Sequence, residues 1–257
     1  MKATLHLLTP FITLFLLVPF YTQAQVDLGV KAGLSIPNLT SGSSANPINS
    51  GYSSRLGPDF AIHAEFHLTD QFSIQPQLEY SSQGGQKDGK QAFSVPAEMV
   101  PLFPPGQVPQ YLYANYKSTA KINYLMLPVL AKYHIPLGGN WDFYVAAGPF
   151  VSIVVSAKNV TSGTSSIYLD EQQTQALPTG PQSFDKEVDI KDELHKANWG
   201  VDGHVGFAYK FGRSSVFIEG GGNYGFVNIQ KNDVNGKNNT GAGVVVLGYA
   251  FQICQRK

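Results

Sequence analysis

The sequence predicts an all-β fold, an eight-stranded antiparallel transmembrane β-barrel with short periplasmic turns and long extracellular loops. Three observations predict it: the chain opens on a secretory leader, eight later segments alternate apolar and polar residues with period two, and the connections between them alternate short and long.

The leader is MKATLHLLTPFITLFLLVPFYTQAQ, with Lys2, an apolar run from Leu5 to Tyr21, and then Thr22-Gln23-Ala24. This order predicts a signal peptide over 1–24 cleaved after Ala24, leaving 25–257 as one barrel domain. The alternative is a membrane-anchoring helix, which the short run and the helix breakers Pro10 and Pro19 oppose. No later run of about 18 apolar residues offers a transmembrane helix. Charged residues make up 14% of the 257, against about 25% in soluble domains, and the formal net charge is +0. That balance leaves no basic surface, which excludes nucleic acid as a partner. Cys254 is the one cysteine, so no intrachain disulfide can form and the fold must hold itself by packing and hydrogen bonds.

The alternating runs begin at 26–35, where Val26, Leu28, Val30, Ala32 and Leu34 oppose Asp27, Gly29, Lys31, Gly33 and Ser35. Next, Phe60, Ile62, Ala64, Phe66 and Leu68 face away from Ala61, His63, Glu65 and His67. In the third run Phe72, Ile74, Pro76, Leu78 and Tyr80 oppose Ser73, Gln75, Gln77, Glu79 and Ser81. Residues 122–135 are apolar on both parities; placing Leu125, Leu127, Val129, Ala131, Tyr133 and Ile135 outside sends Lys132 and His134 inward. Runs at 141–156, 197–211, 216–227 and 241–253 complete the eight, and most are long enough for the 9 to 11 or so residues of a tilted spanning strand. Short turns at 69–71, 136–140 and 212–215 alternate with long segments at 36–57, 83–120, 157–196 and 228–240, which puts both termini at the short-turn end.

Period two alone does not say which face meets water. The apolar parity carries no Asp, Glu, Lys or Arg, whereas the other mixes charge with small residues such as Gly29, Gly148, Gly206 and Ala250. Small residues beside a few charges suit the crowded interior of a narrow barrel better than an open aqueous face. The apolar parity is therefore turned to lipid, with Trp141, Trp199, Tyr80, Tyr133, Tyr249 and Phe251 as interfacial girdles. Pro76, Pro128 and Pro149 cannot donate a ladder bond, so bulges or broken pairing are expected there.

With the strands laid out, GVKAGLSIPNL, YLMLPVLAKY, FYVAAGPFVS, WGVDGHVGFAY, FIEGGGNYGFVNI and the closing LGYAF resemble the PorT-like outer-membrane β-barrel family of Bacteroidota. The resemblance implies residence in the cell outer membrane. It also implies recognition of the last strand by barrel-assembly machinery, because Gly248 to Ile253 is similar to a β-signal. The tail Cys254 to Lys257 departs from the usual aromatic end.

The ionisable residues of the inner parity, Asp27, Lys31, His63, Glu65, His67, Glu79, Lys132, Asp142, Asp202, His204, Lys210 and Glu219, are expected to form a lumen polar network. His63, Glu65 and His67 share a face, but positions two apart on a strand are about 7 Å apart and positions four apart about 13 Å, too far for a single ion; a neighbouring strand could complete a smaller site, but a hydrogen-bonded lumen network is expected there and no metal. No catalytic residue and no cofactor are expected either. The chain lacks a G-x-S-x-G elbow, and no histidine precedes a serine by two in the way lipid-A deacylases resemble.

The remaining candidates for function are the loops. Residues 93–116, FSVPAEMVPLFPPGQVPQYLYANY, suit a binding surface or a packed lid, and 185–196, DKEVDIKDELHK, a hairpin extension or short helix. The expected function is non-enzymatic: a structural, binding or envelope-assembly role through the extracellular loops, in contact with outer-membrane lipid and an extracellular protein or glycan. A narrow channel for small solutes or ions and a lipid-modifying enzyme are the alternatives. The purified protein should migrate on a gel differently before and after boiling, as a closed barrel does; recovery in the soluble periplasmic fraction would sink this reading.

Overall fold

The computed structural model describes residues 25–41, 47, 48, 50–232 and 236–254; the expected signal peptide and the last three residues of the tail lie outside the described residues. Among the described residues thirteen strands are formed: β1 (Gln25–Ser41), β2 (Gly57–His67), β3 (Phe72–Lys87), β4 (Lys90–Ser94), β5 (Tyr111–Asn115), β6 (Lys117–Gly138), β7 (Trp141–Ser162), β8 (Thr164–Ser165), β9 (Gln182–Ser183), β10 (Lys186–Asp189), β11 (Ala197–Phe211), β12 (Ser214–Gly225) and β13 (Asn238–Cys254). Eight of them close a ring in the order β1-β2-β3-β6-β7-β11-β12-β13, every pair antiparallel, with β13 returning to β1 from Val26↔Cys254 to Ser41↔Asn238. The other strands belong to the long loops. Of these, β10 pairs with β7 at Lys158 to Thr161, taking the edge that β11 leaves above Ala197↔Ile153.

The outward parity is the predicted one. Leu28, Val30, Leu34, Ile62, Leu127, Val151, Val205, Phe207, Ile218 and Leu247 are all exposed. Aromatic pairs mark the two margins of this band: Trp141 against Tyr209 at the short-turn end and Trp199 against Phe226 at the other, each with ring centroids 5.0 Å apart. Short turns are fixed locally. The Thr69 hydroxyl accepts from the Phe72 N–H at 2.9 Å, and Gly138 and Gly139 supply the positive φ of the next turn, +100° and +58°.

Several ring strands run further than the alternation reaches. β3 continues to Lys87, β6 starts at Lys117 and β7 ends at Ser162, where pairing goes on above the apolar band. Outward charge reappears there, as in the pair Lys121↔Lys158, so period two no longer has a lipid face to report.

At the prolines the ladder lapses without slipping. Pairing of β2 with β3 stops at His63↔Gln77 and resumes at Phe66↔Ile74 in the same register. The β3–β6 ladder skips from Pro76↔Val129 to Glu79↔Met126, and β6–β7 from Pro128↔Phe150 to Ala131↔Ala147. At these three prolines broken pairing is thus found and bulges are not; the two β6–β7 shifts lie elsewhere, at Asn123/Tyr124 and Pro136/Gly138.

The interior departs from the expected polar parity in one respect. Its short-turn half is polar, but its outer half is an apolar plug of Leu39, Ile122, Tyr124, Met126, Phe150 and Val154, capped by Leu194 and Ile229 from the loops. This is why 122–135 is apolar on both parities: one side packs in lipid, the other in the plug. Inner glycines make room for rings, since a Cβ on Gly206 would stand 2.4 Å from the Tyr144 ring and one on Gly248 2.1 Å from Phe217.

Val205→Arg should prevent assembly, because a mid-bilayer Arg on the lipid face costs about 2–4 kcal/mol, while Asp202→Asn, inside, should be mild. Comparing heat-modifiable migration of the two variants checks the faces, and equal tolerance would mean they are reversed.

Candidate functional site

The polar half of the lumen is built from strand ends on the short-turn side. β1 contributes Asp27, β2 Glu65 and His67, β3 Ser73 and Gln75, β6 Lys132 and His134, β7 Asp142 and Tyr144, and β11 Lys210. Period two aims each of these inward, and the turns at 68–72 and 138–141 hold neighbouring strand ends at one height.

Glu65 is the hub. Its Oε2 accepts from Lys132 Nζ at 2.8 Å, and its Oε1 accepts from the Ser73 hydroxyl at 2.6 Å and lies 2.7 Å from His134 Nε2. The opposite ring nitrogen, His134 Nδ1, is 2.6 Å from Asp142 Oδ2, which also takes Lys210 Nζ at 3.2 Å. His67 Nε2 stands 3.0 Å from Asp27 Oδ2 and 3.7 Å from Glu65 Oε1. Lys132 bridges on to Gln75 Oε1 at 3.2 Å and sits 3.9 Å from the centre of the Tyr144 ring.

Deeper in, a second group crosses the lumen. Lys31 Nζ on β1 meets Glu219 Oε2 on β12 at 2.9 Å, and the Tyr144 hydroxyl donates to Glu219 Oε1 at 3.0 Å from β7. Gln83 Nε2 on β3 donates to Asn223 Oδ1 on β12 at 2.8 Å, and Gln77 Nε2 donates to Glu79 Oε2 at 3.1 Å. His63 packs its ring edge-on to Phe217. Asp202 and His204 approach to 3.0 Å without hydrogen-bond alignment, and Asp59, which the sequence reading did not single out, is fully buried with both carboxylate oxygens unpartnered among the described residues.

Of the twelve residues predicted to face the lumen, eleven are buried or nearly so, and Lys210 is at the mouth, its side chain 56% exposed and only its ammonium reaching in to Asp142. His134, which parity turns inward, joins the network although it is not among the twelve, and so do Ser73 and Tyr144. The parity that chose Lys132 and Asp142 also carries these three; what it lacked was the strand-to-strand alignment that brings them together.

Ser73, His134 and Asp142 stand in the order of a hydrolytic triad, with Ser73 Oγ 3.2 Å from His134 Nε2. Two features oppose catalysis. Ser73 is fully buried and borders neither of the cavities at this end, and the Glu65 carboxylate 2.6 Å from its oxygen repels the negative charge an acyl transfer would build.

Lys31→Met leaves Glu219 charged and unpaired in the lumen and should cost about 3–5 kcal/mol of stability. The double variant Lys31→Met with Glu219→Gln, whose amide oxygen still accepts from Tyr144, should recover most of that loss. Urea unfolding in detergent micelles, followed by tryptophan fluorescence, checks both.

The chain shares 10% identity with the structure of Ail, the attachment invasion locus protein of Yersinia pestis, over 88% of this chain and 99% of that one, with a TM-score of 0.36. A major outer membrane protein of Thermus thermophilus gives 12% identity, 90% and 99% coverage and a TM-score of 0.44. The outer membrane protease OmpT of Escherichia coli gives 11%, 89% and 97%, with 0.33. Likenesses at this level carry nothing about function, and none of the curated proteins compared matches the chain. The match that places it is to the outer membrane protein beta-barrel domain, which extends over residues 22–231 and so covers most of the ring just described: the protein belongs to that family of outer-membrane β-barrels.

Proposed function

We propose that the barrel is a closed, non-enzymatic anchor and that the working surface is the set of structured outer loops, which bind an extracellular protein or glycan or serve in envelope assembly. The observation that carries this is the contrast between the two ends of the molecule. Within the ring, cross-lumen bonds leave the polar half a cavity of about 20 Å³, room for roughly one water, and a separate pocket of about 160 Å³ lies among the plug residues and the loops that cap them. Above the ring, the loops have a hydrophobic core of their own: Leu112, Ile167 and Leu177, with Phe93, Val95, Met99, Phe103 and Phe184 packed on it. Stacking of Tyr116 on Phe184, with centroids 4.6 Å apart, ties this platform to the start of the barrel wall.

Both long-loop expectations find a physical form here. Segment 93–116 folds as a 3₁₀ turn over Ala97–Leu102 and the β5 strand, burying Leu112 and Ala114, half-burying its aromatics and leaving Val100, Leu102 and Val108 exposed at the tip. Segment 185–196 is the β10 extension followed by a 3₁₀ turn at Lys191–Glu193, and Leu194 then drops into the barrel mouth. The Asp170 carboxylate accepts N–H groups of Thr174 and Gln175 at 3.0 and 2.7 Å, which holds it below the usual carboxylate range and fixes that loop. Ordered loops with exposed apolar residues present a recognition surface at low entropic cost.

On this reading export follows cleavage after Ala24, β13 addresses the assembly machinery, and the PorT-like resemblance makes envelope assembly the first role to examine. Planar-bilayer recordings should show no conductance above the lipid baseline, whereas discrete steps would favour the channel alternative. Replacing 97–108 by a Gly-Ser linker should leave heat-modifiable migration intact and abolish partner capture from intact cells; capture that survives would remove this loop from the binding surface.

A further inference from the structure

The geometry points to a divalent metal site at the short-turn mouth of the barrel, held by Glu65, His67 and His134 with a fourth position open to water and suited to Zn²⁺. Along β2 alone the residues are too widely spaced for one ion, and a second strand is needed to complete a site. Glu65 and His67 lean together, and the third donor comes from β6, two strands away, so that one ligand atom from each of the three lies within 4.8 Å of the others. Asp27 Oδ2 on β1 lies 3.0 Å from His67 Nε2 but stands outside that group of three. Donor atoms about 2.0–2.1 Å from a tetrahedral zinc are about 3.3 Å apart. The separations within the group, 2.7 Å from Glu65 Oε1 to His134 Nε2 and 3.7 Å from His67 Nε2 to Glu65 Oε1, lie on either side of that edge.

Polarity gives the second argument. When His134 donates from Nδ1 to Asp142, its neutral ring presents an Nε2 lone pair to a Glu65 oxygen 2.7 Å away, acceptor to acceptor. Either a proton or a cation must stand between them. A carboxylate on the far nitrogen of a histidine is also the arrangement that orients and strengthens a metal-binding imidazole.

Charge and access agree with this. Asp27, Glu65 and Asp142 bring three carboxylates, against Lys132 and Lys210 as the lysines paired with them. The Oδ1 oxygen of Asp142 is buried and unpartnered among the described residues. A cavity of about 200 Å³ lined by Gln25, His67, Thr69, Asp70, His134 and Lys210 borders the two histidines. Lys132 holds Glu65 through Oε2, and Oε1, which accepts from the Ser73 hydroxyl, is the oxygen turned to both histidines. The inference is independent of what the outer loops bind.

The test is calorimetric titration of the detergent-purified protein with zinc chloride, together with the visible d–d spectrum of the cobalt(II) form. Saturable binding of one ion per chain with the absorption of a four-coordinate site is expected. His67→Ala, at the mouth, should weaken binding at least tenfold while retaining heat-modifiable migration, and Asp142→Asn should weaken it by about 10–100-fold. His195→Ala, in an outer loop, should leave it unchanged. Absence of saturable binding, or equal affinity in folded His67→Ala protein, overturns the site.

Discussion

Lipid offers no partner to a peptide group, and the rest of this structure depends on that constraint. Each N–H and C=O in the wall must be met by a neighbouring strand, so a sheet that crosses a bilayer has to close. Closure here is the β1–β13 ladder, and it dictates the direction of everything else: apolar side chains face out because lipid is there, and the polar ones are left to a narrow lumen where they can meet only each other. The prolines show how far the constraint bends. Pro76, Pro128 and Pro149 each coincide with a lapse in a ladder, on three adjacent strands, yet the register is the same on both sides of every lapse. The ring tolerates missing bonds where a slip of one residue would exchange its two faces.

A lumen filled this way has to balance its charge internally. Lys31 answers Glu219 and Lys132 answers Glu65, each across or along the wall, and Tyr144 stands between the two pairs, donating to Glu219 while its ring lies against Lys132. Such pairs are weak contributors to net stability but costly to break, so they fix which strands may be neighbours. The outer half solves the same filling problem with apolar side chains and two loop residues, Leu194 and Ile229. Lumen and loops are therefore one packing unit, and the loops are braced from below as well as by their own core.

Much of the ring was legible in the sequence because period two reports a lipid face directly. The strands, the short turns and the inward set could be read from parity, as could the inward turn of Lys132 and His134 in a run that is apolar on both sides. Strand ends were less legible, since outside the bilayer both faces meet polar surroundings and the alternation stops; Lys87, Lys117 and Ser162 lie in such stretches. The apolar plug was hidden for a related reason: Tyr124 and Met126 look lipid-facing by composition and are interior by register alone.

The sequence by itself determined the architecture, because burial against lipid is a property of each residue and its parity and needs no knowledge of neighbours. It determined also which residues face inward. Only the tertiary structure decided who meets whom. Glu65, His67 and His134 come from strands whose partners are set by turn lengths and register, and the contact of His134 with Glu65 spans 69 residues of chain. A one-dimensional pattern carries the direction of a side chain; the distance between two side chains on different strands exists only once the ring has closed.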